Sequence, residues 1–491
     1  MDAELKGFWR ELLRDEPVWQ GVSAAPAVRA EILQKIAAGF PAIRADSLRS
    51  GSVELSESLG SGAFRSREIQ GRIYLVPQKL ERMLDFFLRS QTGITTPANS
   101  QEAALEIMHA GKHLLLTGGP GTGKSFVLQQ FLNEKSALNA SSRPLRVTIA
   151  APTGKAAARY MQTQAGEGAI VECSTIHRLL GISQNRARPR HDARNPVGCD
   201  ILIVDEISMV DLGLFAALVS ALPQHTQLVL AGDLNQLPAI EGMPIDATIN
   251  LLAEEGLLAN TALTKVRRFS AEKAAAYAAI AAAGIGAIDN ATPGIALKDL
   301  TRRELQPFLA TYAAERFCSA EAVRLRSELR EGFMSGNNPA ESVTAALRFL
   351  SRQVILTERR EGFTGSVALN SQLSHHVETR LGDKNRTLTP IISTQNNYRL
   401  NIFNGDTGLL LETNDGLFAV FVTAEGEIRR IGAFEFSGWE CAYALTVHKS
   451  QGSEYNDVYV IMHAQSADDD HRLLYTAVTR SRESATVLRM A

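Results

Sequence analysis

Gly118-Gly-Pro-Gly-Thr-Gly-Lys-Ser125 (GGPGTGKS) follows an apolar run, His113 to Thr117, and precedes a helical pattern, FVLQQFL. Glycine, any four residues, then Gly-Lys-Ser/Thr between a strand and a helix is the phosphate-loop pattern. Its glycines let consecutive backbone N–H groups turn onto phosphate oxygens, and the helix start adds its positive end. In that reading Gly118, Gly119, Pro120, Gly121, Thr122 and Gly123 form the cradle. Lys124 reaches the β and γ phosphates of ATP, and Ser125 is a ligand for Mg²⁺.

Outward from this loop the chain alternates short apolar runs with helical patterns: RVTIAAPT, DILIVDEIS and QLVLAGDL each end in small or polar residues. Parallel sheets with crossover helices read this way. Asp205 and Glu206 follow the run ILIV, at the carboxyl end of a strand, where open α/β sheets place their ligands. Asp205 is positioned to hold Mg²⁺ through its water shell, and Glu206 to take a proton from an attacking water.

The remaining chain divides coarsely. Residues 1–95 mix amphipathic stretches such as KLERMLDFFLR with a Gly/Ser-rich patch and read as a small, mainly helical N-terminal domain. Residues 96–262 form a first α/β core and 263–491 a second. The second carries an Ala-rich helical segment at 270–350 and a small β insert at about 405–440, where LFAVFVTAEGEIRRIG reads as a hairpin turning at Gly426.

Composition sets bounds. A chain of 491 residues predicts about three domains. With 45% hydrophobic and 21% charged residues and a net charge of −2, neither a disordered chain nor a wholly basic nucleic-acid coat fits, so any basic binding surface is local. The longest apolar run, Ala274 to Ile288, is 15 residues and mostly alanine, short of a membrane span. The N-terminus lacks the apolar core of a signal peptide, so no membrane association and a cytoplasmic location are expected. Cys173, Cys199, Cys318 and Cys441 are far apart, which argues against a zinc site or a disulfide framework.

Further segments separate a motor from a small-molecule kinase. They are APTGKAAARY (Ala151 to Tyr160), STIHRLLG (Ser174 to Gly181), ILIVDEISMVD (Ile201 to Asp211), LAGDLNQLPAIEGM (Leu230 to Met243), LTKVRRF (Leu263 to Phe269), FNGDTG (Phe403 to Gly408), ALTVHKSQGSEY (Ala444 to Tyr455) and LLYTAVTR (Leu473 to Arg480). In this order, with the phosphate loop, they resemble the RecD helicase subunits of the bacterial RecBCD (exonuclease V) complexes. Those proteins belong to the 5′-to-3′ branch of superfamily 1 helicases. The resemblance runs from about Arg72 to the last strand and implies two RecA-like parallel-sheet cores, with the β insert SH3-like.

It also implies roles. Gln101 resembles the glutamine that reads the adenine edge, and Gln236, just past a strand, is placed to sense the γ-phosphate. Arg268 and Arg480 resemble the two arginines that reach the γ-phosphate from the second core, while Gly452 and Glu454 fall near the nucleotide. Thr153, Lys155, Thr175 and His177 lie in segments that track single-stranded DNA in this family, and His448 and Lys449 mirror them in the second core. Their chemistry suits contacts to phosphate and sugar, which hold a strand without reading its sequence. The loop Asn185 to Arg194 (NRARPRHDAR) is basic and reads as solvated or close to DNA.

The expected function is an ATP- and Mg²⁺-dependent helicase moving 5′ to 3′ on single-stranded DNA. Its expected setting is as the RecD subunit beside RecB- and RecC-like chains, acting at duplex ends in double-strand break repair. With no nuclease-type carboxylate cluster and few residues after Arg480, nuclease activity would come from a partner. The rivals are a free-standing helicase of the same branch, an ATP-gated assembly subunit without motor activity, and a metabolic phosphate-loop kinase. The last leaves the second core unexplained.

Overall fold

A computed structural model describes residues 22–23, 31–32, 34–35, 42–44, 54–55, 64–69, 72–77, 80–89, 99–139, 143–160, 166–182, 188–240, 242–266, 268–289, 292–334, 339–381, 386–397, 399–423, 426–464, 466 and 470–490. The chain forms two compact units. One comprises Met1–Pro152, Thr163–Leu234 and Pro238–Lys265, and the other Thr153–Gln162, Asn235–Leu237 and Val266–Ala491.

The first unit is built on six parallel strands, in the order Ala259–Leu263, Leu114–Gly118, Gln227–Gly232, Ile201–Val204, Leu145–Ala151, Ala169–Thr175. The central runs LLL, ILIV and LVLA are buried throughout, as strands covered on both faces must be. Helices start where a short polar side chain can accept an orphan amide. Ser100 caps Gln101–His109, Thr153 caps Gly154–Ala158, Thr175 caps Ile176–Leu180 and Asp211 caps Leu212–Ser220. Two strands escape the sequence reading. Ala169–Thr175 (AIVECST) is an edge strand of which only Thr175 is buried, and Ala259–Leu263 (ANTAL) is too weakly apolar to stand out.

Within residues 1–95 the expected amphipathic helix is present as Glu81–Arg89, joined by strands that the reading did not foresee. Ile43–Arg44, Arg72–Pro77 and Phe64–Ile69 make an antiparallel sheet, and Val22–Ser23 pairs with Glu54–Leu55. Tyr74 and Val76 are buried and Ile73 is exposed, the alternation of a one-sided sheet. Met83, Leu84, Phe86 and Phe87 enter the same apolar core as Phe215 and Leu230. The Tyr74 hydroxyl donates to buried Glu255 at 2.5 Å, and Arg72 reaches the same carboxylate at 3.0 Å. The rest of this region lies outside the described residues.

The second unit has five parallel strands, in the order Ile295–Leu300, Ser481–Met490, Tyr455–His463, Gln353–Thr357, Ala444–Thr446. The segment expected to be helical over 270–350 contains helices Ala271–Ala283, Arg302–Phe317, Ala320–Met334 and Ala340–Leu350. It also contains the strand Ile295–Leu300. IALKDL has one fully buried residue because it forms the sheet edge, so its pattern never announces a strand. The β insert is a separate antiparallel sheet, in the order Ile428–Gly432, Gly416–Val422, Thr407–Thr413, Thr389–Ser393, Trp439–Cys441. It begins earlier than the expected 405, and Gly426 turns its hairpin at φ +85°.

Candidate active site

Strand order brings three motifs of the first unit to one edge. Leu114–Gly118, Gln227–Gly232 and Ile201–Val204 are neighbours, with Thr117 abreast of Gly232 and Leu230 abreast of Val204. The phosphate loop, Asp233 and the Asp205–Glu206 pair therefore leave the sheet at adjacent carboxyl ends. In the loop, Gly121 and Gly123 hold φ of +76° and +93°, which L side chains rarely adopt. A Cβ on Gly123 would fall 2.5 Å from Gln101 Nε2. Gln101 itself donates to the Thr122 carbonyl at 3.1 Å, and the Thr122 hydroxyl donates to the Gly119 carbonyl at 2.8 Å. Lys124 Nζ folds back on the Gly118 and Gly119 carbonyls at 2.5 and 3.2 Å. Helix Lys124–Leu138 starts at Gly123 without a side-chain cap, and the positive end of a helix favours a phosphate.

Asp205 is buried and its Oδ1 accepts the Glu206 amide at 2.9 Å. Glu206 sits at φ +55°, a left-handed conformation that costs a residue with a Cβ about 1–2 kcal/mol. Strain of this kind collects at functional sites, and here it falls on the residue read as the base. Gly232 makes room for the turn, since a Cβ there would meet the Ile207 amide nitrogen at 2.9 Å.

The second unit gathers a separate set. Arg268 and Arg482 both pair with Glu454, and Tyr455 stands opposite Ser481, so Glu454 and Arg480 sit where adjacent strands begin. Burial pushes the Glu454 carboxyl up, but the hydrogen bond and charge of Arg268, then those of Arg482, hold it below its ordinary range. Tyr277, buried between Val478 and Ser481, is pushed to about 12 by burial, against the Ser481 hydroxyl and the charges of Arg480 and Arg268. Arg480 is 5% exposed and donates to the Thr476 carbonyl at 3.2 Å. Unlike Arg268, it has no carboxylate within ion-pair distance among the described residues. Gln236 belongs to the same unit. Its carbonyl accepts from Arg472 at 2.9 Å, and the next amide, Leu237, donates to Thr476 at 2.8 Å.

The residues expected on DNA divide. Thr175 ends the strand four places from the phosphate-loop strand, about 19 Å across the sheet at ~4.8 Å per strand. Its hydroxyl, like that of Thr153, caps a helix. His177 is exposed, and so are Arg188, Arg190 and Arg194 of the basic loop. Residues 185–187 of that loop lie outside the described residues. His448 and Lys449 follow the carboxyl end of Ala444–Thr446, and Lys449 pairs with Glu440. Lys155 is half-buried and donates to the Ser453 hydroxyl at 2.7 Å.

Residues 101–241 match the AAA domain family, and 441–488 the UvrD-like helicase C-terminal domain family. The RecBCD enzyme subunit RecD of Mycobacterium tuberculosis is 32% identical over 416 residues, covering 80% of this chain and 69% of that protein. The chain belongs to the RecD family. It is thus a nucleotide-hydrolysing helicase with two α/β cores. The ATP-dependent RecD2 DNA helicase of Deinococcus radiodurans is 30% identical over 399 residues, 79% of this chain and 48% of that one. The solved structure of Bacteroides Pif1 bound to single-stranded DNA aligns over 80% of this chain and 92% of its own at 17% identity, with a TM-score of 0.41, a loose likeness.

In this RecD-family chain, Arg482, Ser453 and Asp406 are site neighbours that sequence reasoning did not assign. FNGDTG was visible as a motif, but nothing in its spelling says that Asp406 lies near Lys155. Among the described residues no group of three His, Cys, Asp or Glu side chains is placed to hold a metal. A magnesium ion would instead fit Ser125, nucleotide oxygens and the water shell of Asp205, whose buried carboxylate ends a strand beside the loop. No helix among the described residues is long and apolar enough to cross a membrane.

Proposed function

We propose that this chain is an ATP-driven motor that moves 5′ to 3′ on single-stranded DNA. In this reading it is the RecD subunit of a helicase–nuclease with RecB- and RecC-like partners, acting at duplex ends in double-strand break repair. The observation that carries the motor reading is Arg480, buried yet with no carboxylate within ion-pair distance among the described residues, in a chain that also holds a phosphate loop and the Asp205–Glu206 pair. A static nucleotide-binding subunit has no use for a desolvated arginine at a strand start.

The loop amides and Lys124 hold the phosphates, and Gln101 packs on Gly123 to shape the base side of the loop. Magnesium, when bound at Ser125 and Asp205, would offset phosphate charge. Glu206 orients the attacking water and accepts its proton, in a conformation that its turn enforces. Gln236 reports the γ-phosphate through the segment gripped by Arg472 and Thr476. Arg480 and, once released by Glu454, Arg268 stabilise charge on the transferred phosphoryl group. His177, Thr153, Thr175, His448, Lys449 and the exposed arginines of the 188–194 stretch supply sequence-independent contacts to the strand.

The test is steady-state ATP hydrolysis by the purified chain with and without single-stranded DNA at two salt concentrations. DNA should stimulate turnover in a salt-sensitive way. Lys124→Gln should abolish it, and Arg480→Ala should lower kcat roughly 10³-fold or more. Stimulation that survives Lys124→Gln would sink the motor reading. The alternative is a free-standing helicase of the same branch. Native mass measurement distinguishes a lone chain from one held by partners.

A further inference from the structure

We propose that Lys155 is a positioning residue for the Gly452–Glu454 turn, and through it for Arg268, and makes no contact with the DNA strand. The inference rests on the helicase reading above. Lys155 lies in the short helix Gly154–Ala158, whose segment Thr153–Gln162 packs within the second unit. Its ammonium donates to Ser453 Oγ at 2.7 Å, and Arg159 Nη2 reaches the neighbouring Gly452 carbonyl at 3.5 Å. Ser453 is buried, and the next residue, Glu454, takes both Arg268 and Arg482.

A second anchor comes from the loop Phe403–Asp406. Gly154 lies against Phe403 so closely that a Cβ would fall 2.3 Å from the Phe403 Cβ. The Phe403 amide donates to Asp406 Oδ2 at 2.7 Å, which holds the half-buried carboxylate of Asp406 where its charge acts on Lys155. Burial pulls the Lys155 ammonium down and Asp406 lifts it back. A half-buried amine with a hydroxyl partner and the charge of a nearby carboxylate is held in place, and a phosphate would have to displace the Ser453 hydroxyl to take its proton. Three segments thus meet at one side chain: the GKAAAR turn, the FNGD loop and the GSE turn that carries the carboxylate of Arg268.

The test compares Lys155→Ala, Lys155→Arg, Ser453→Ala and the Lys155→Ala/Ser453→Ala double variant in the full chain. It measures kcat and KM for DNA-stimulated ATP hydrolysis and the salt dependence of single-strand binding. Lys155→Ala and Ser453→Ala should each lower kcat about 10- to 100-fold, as a slightly displaced reacting group does. KM for ATP should stay within about twofold, and the double variant should be no worse than the worse single one, because both cut the same link. Lys155→Arg should restore part of the loss, and the salt slope of binding should not change. The proposal is overturned if Lys155→Ala weakens strand binding and flattens the log–log slope by about 0.7, the signature of one lost phosphate contact, while Ser453→Ala behaves as wild type. A wild-type chain with no DNA-dependent turnover would overturn both this proposal and the helicase reading. Normal wild-type turnover with the wrong variant pattern would overturn this proposal alone.

Discussion

Glu206 shows how much a single residue can carry. Its left-handed backbone is a cost of about 1–2 kcal/mol that any side chain with a Cβ would bear there. Glycine removes that cost and adds back roughly 0.4–1 kcal/mol through the entropy of the unfolded chain. Glu206→Gly should therefore leave the thermal midpoint unchanged or slightly raised while hydrolysis is lost, as calorimetry beside an ATPase assay would read. A midpoint that falls would mean that the carboxylate stabilises the fold and that the strain argument is wrong. Arg268 and Arg480 make the complementary point. Both are expected at the γ-phosphate, yet one is held by Glu454 and the other has only a carbonyl partner among the described residues. The two arginines therefore differ in what nucleotide must displace to engage them.

At the scale of elements, two packings invite tests. Helix Glu81–Arg89 lies on the first unit through Phe86 and Phe87, which contact His113 at centroid distances of 5.1 and 5.7 Å. His113 Nδ1 accepts the Leu228 amide at 3.0 Å, so the neutral ring is the one that fits, and burial lowers its pKa to about 4. The folded state then resists a proton that the unfolded chain takes up near 6.5. Stability is complete above that pH and is lost as pH falls from about 6.5 to about 4, by up to roughly 3 kcal/mol. His113→Gln, which keeps an acceptor for Leu228, should show a gap in thermal midpoint from wild type that closes over this range. A gap independent of pH would refute the neutral-histidine account. The second packing is Gly154 on Phe403. Gly154→Ala should cost about 1–3 kcal/mol as an overpacked contact, seen as a lower midpoint together with reduced turnover.

At the scale of the whole molecule, the near balance of 51 basic and 53 acidic residues limits how nucleic acid can be held. Binding must use a local set of cations, so single-strand affinity should fall with salt at a log–log slope of about −2 to −4, a handful of phosphates at ~0.7 each. A slope steeper than about −7 would demand a basic surface that this composition does not provide. Asp406 adds a term of opposite sign to that of His113. Burial raises its pKa to about 6, so the folded chain binds a proton that the unfolded chain releases near 3.8. Its contribution therefore grows as pH falls from about 6 towards 4. Asp406→Asn should remove that gain in the second unit and leave the loss from His113 in the first unchanged.

Sequence alone determined the parts of this protein whose signals are local. The phosphate loop, the Asp-Glu strand end, the buried runs LLL, ILIV and LVLA and the capped helices each need only neighbours along the chain, because glycine conformations, caps and burial periodicity act over a few residues. Tertiary structure decided what depends on meeting across distance. Edge strands Ile295–Leu300 and Ala169–Thr175 exist because a neighbouring strand supplies their hydrogen bonds, which their own patterns do not ask for. Lys155 looked like a strand contact by its motif, yet its role turns on Ser453 and Asp406, far along the chain and joined to it only by folding. A charged side chain is assigned by what surrounds it, and burial, which sets the cost of leaving that charge unpaired, is a property of the assembled fold.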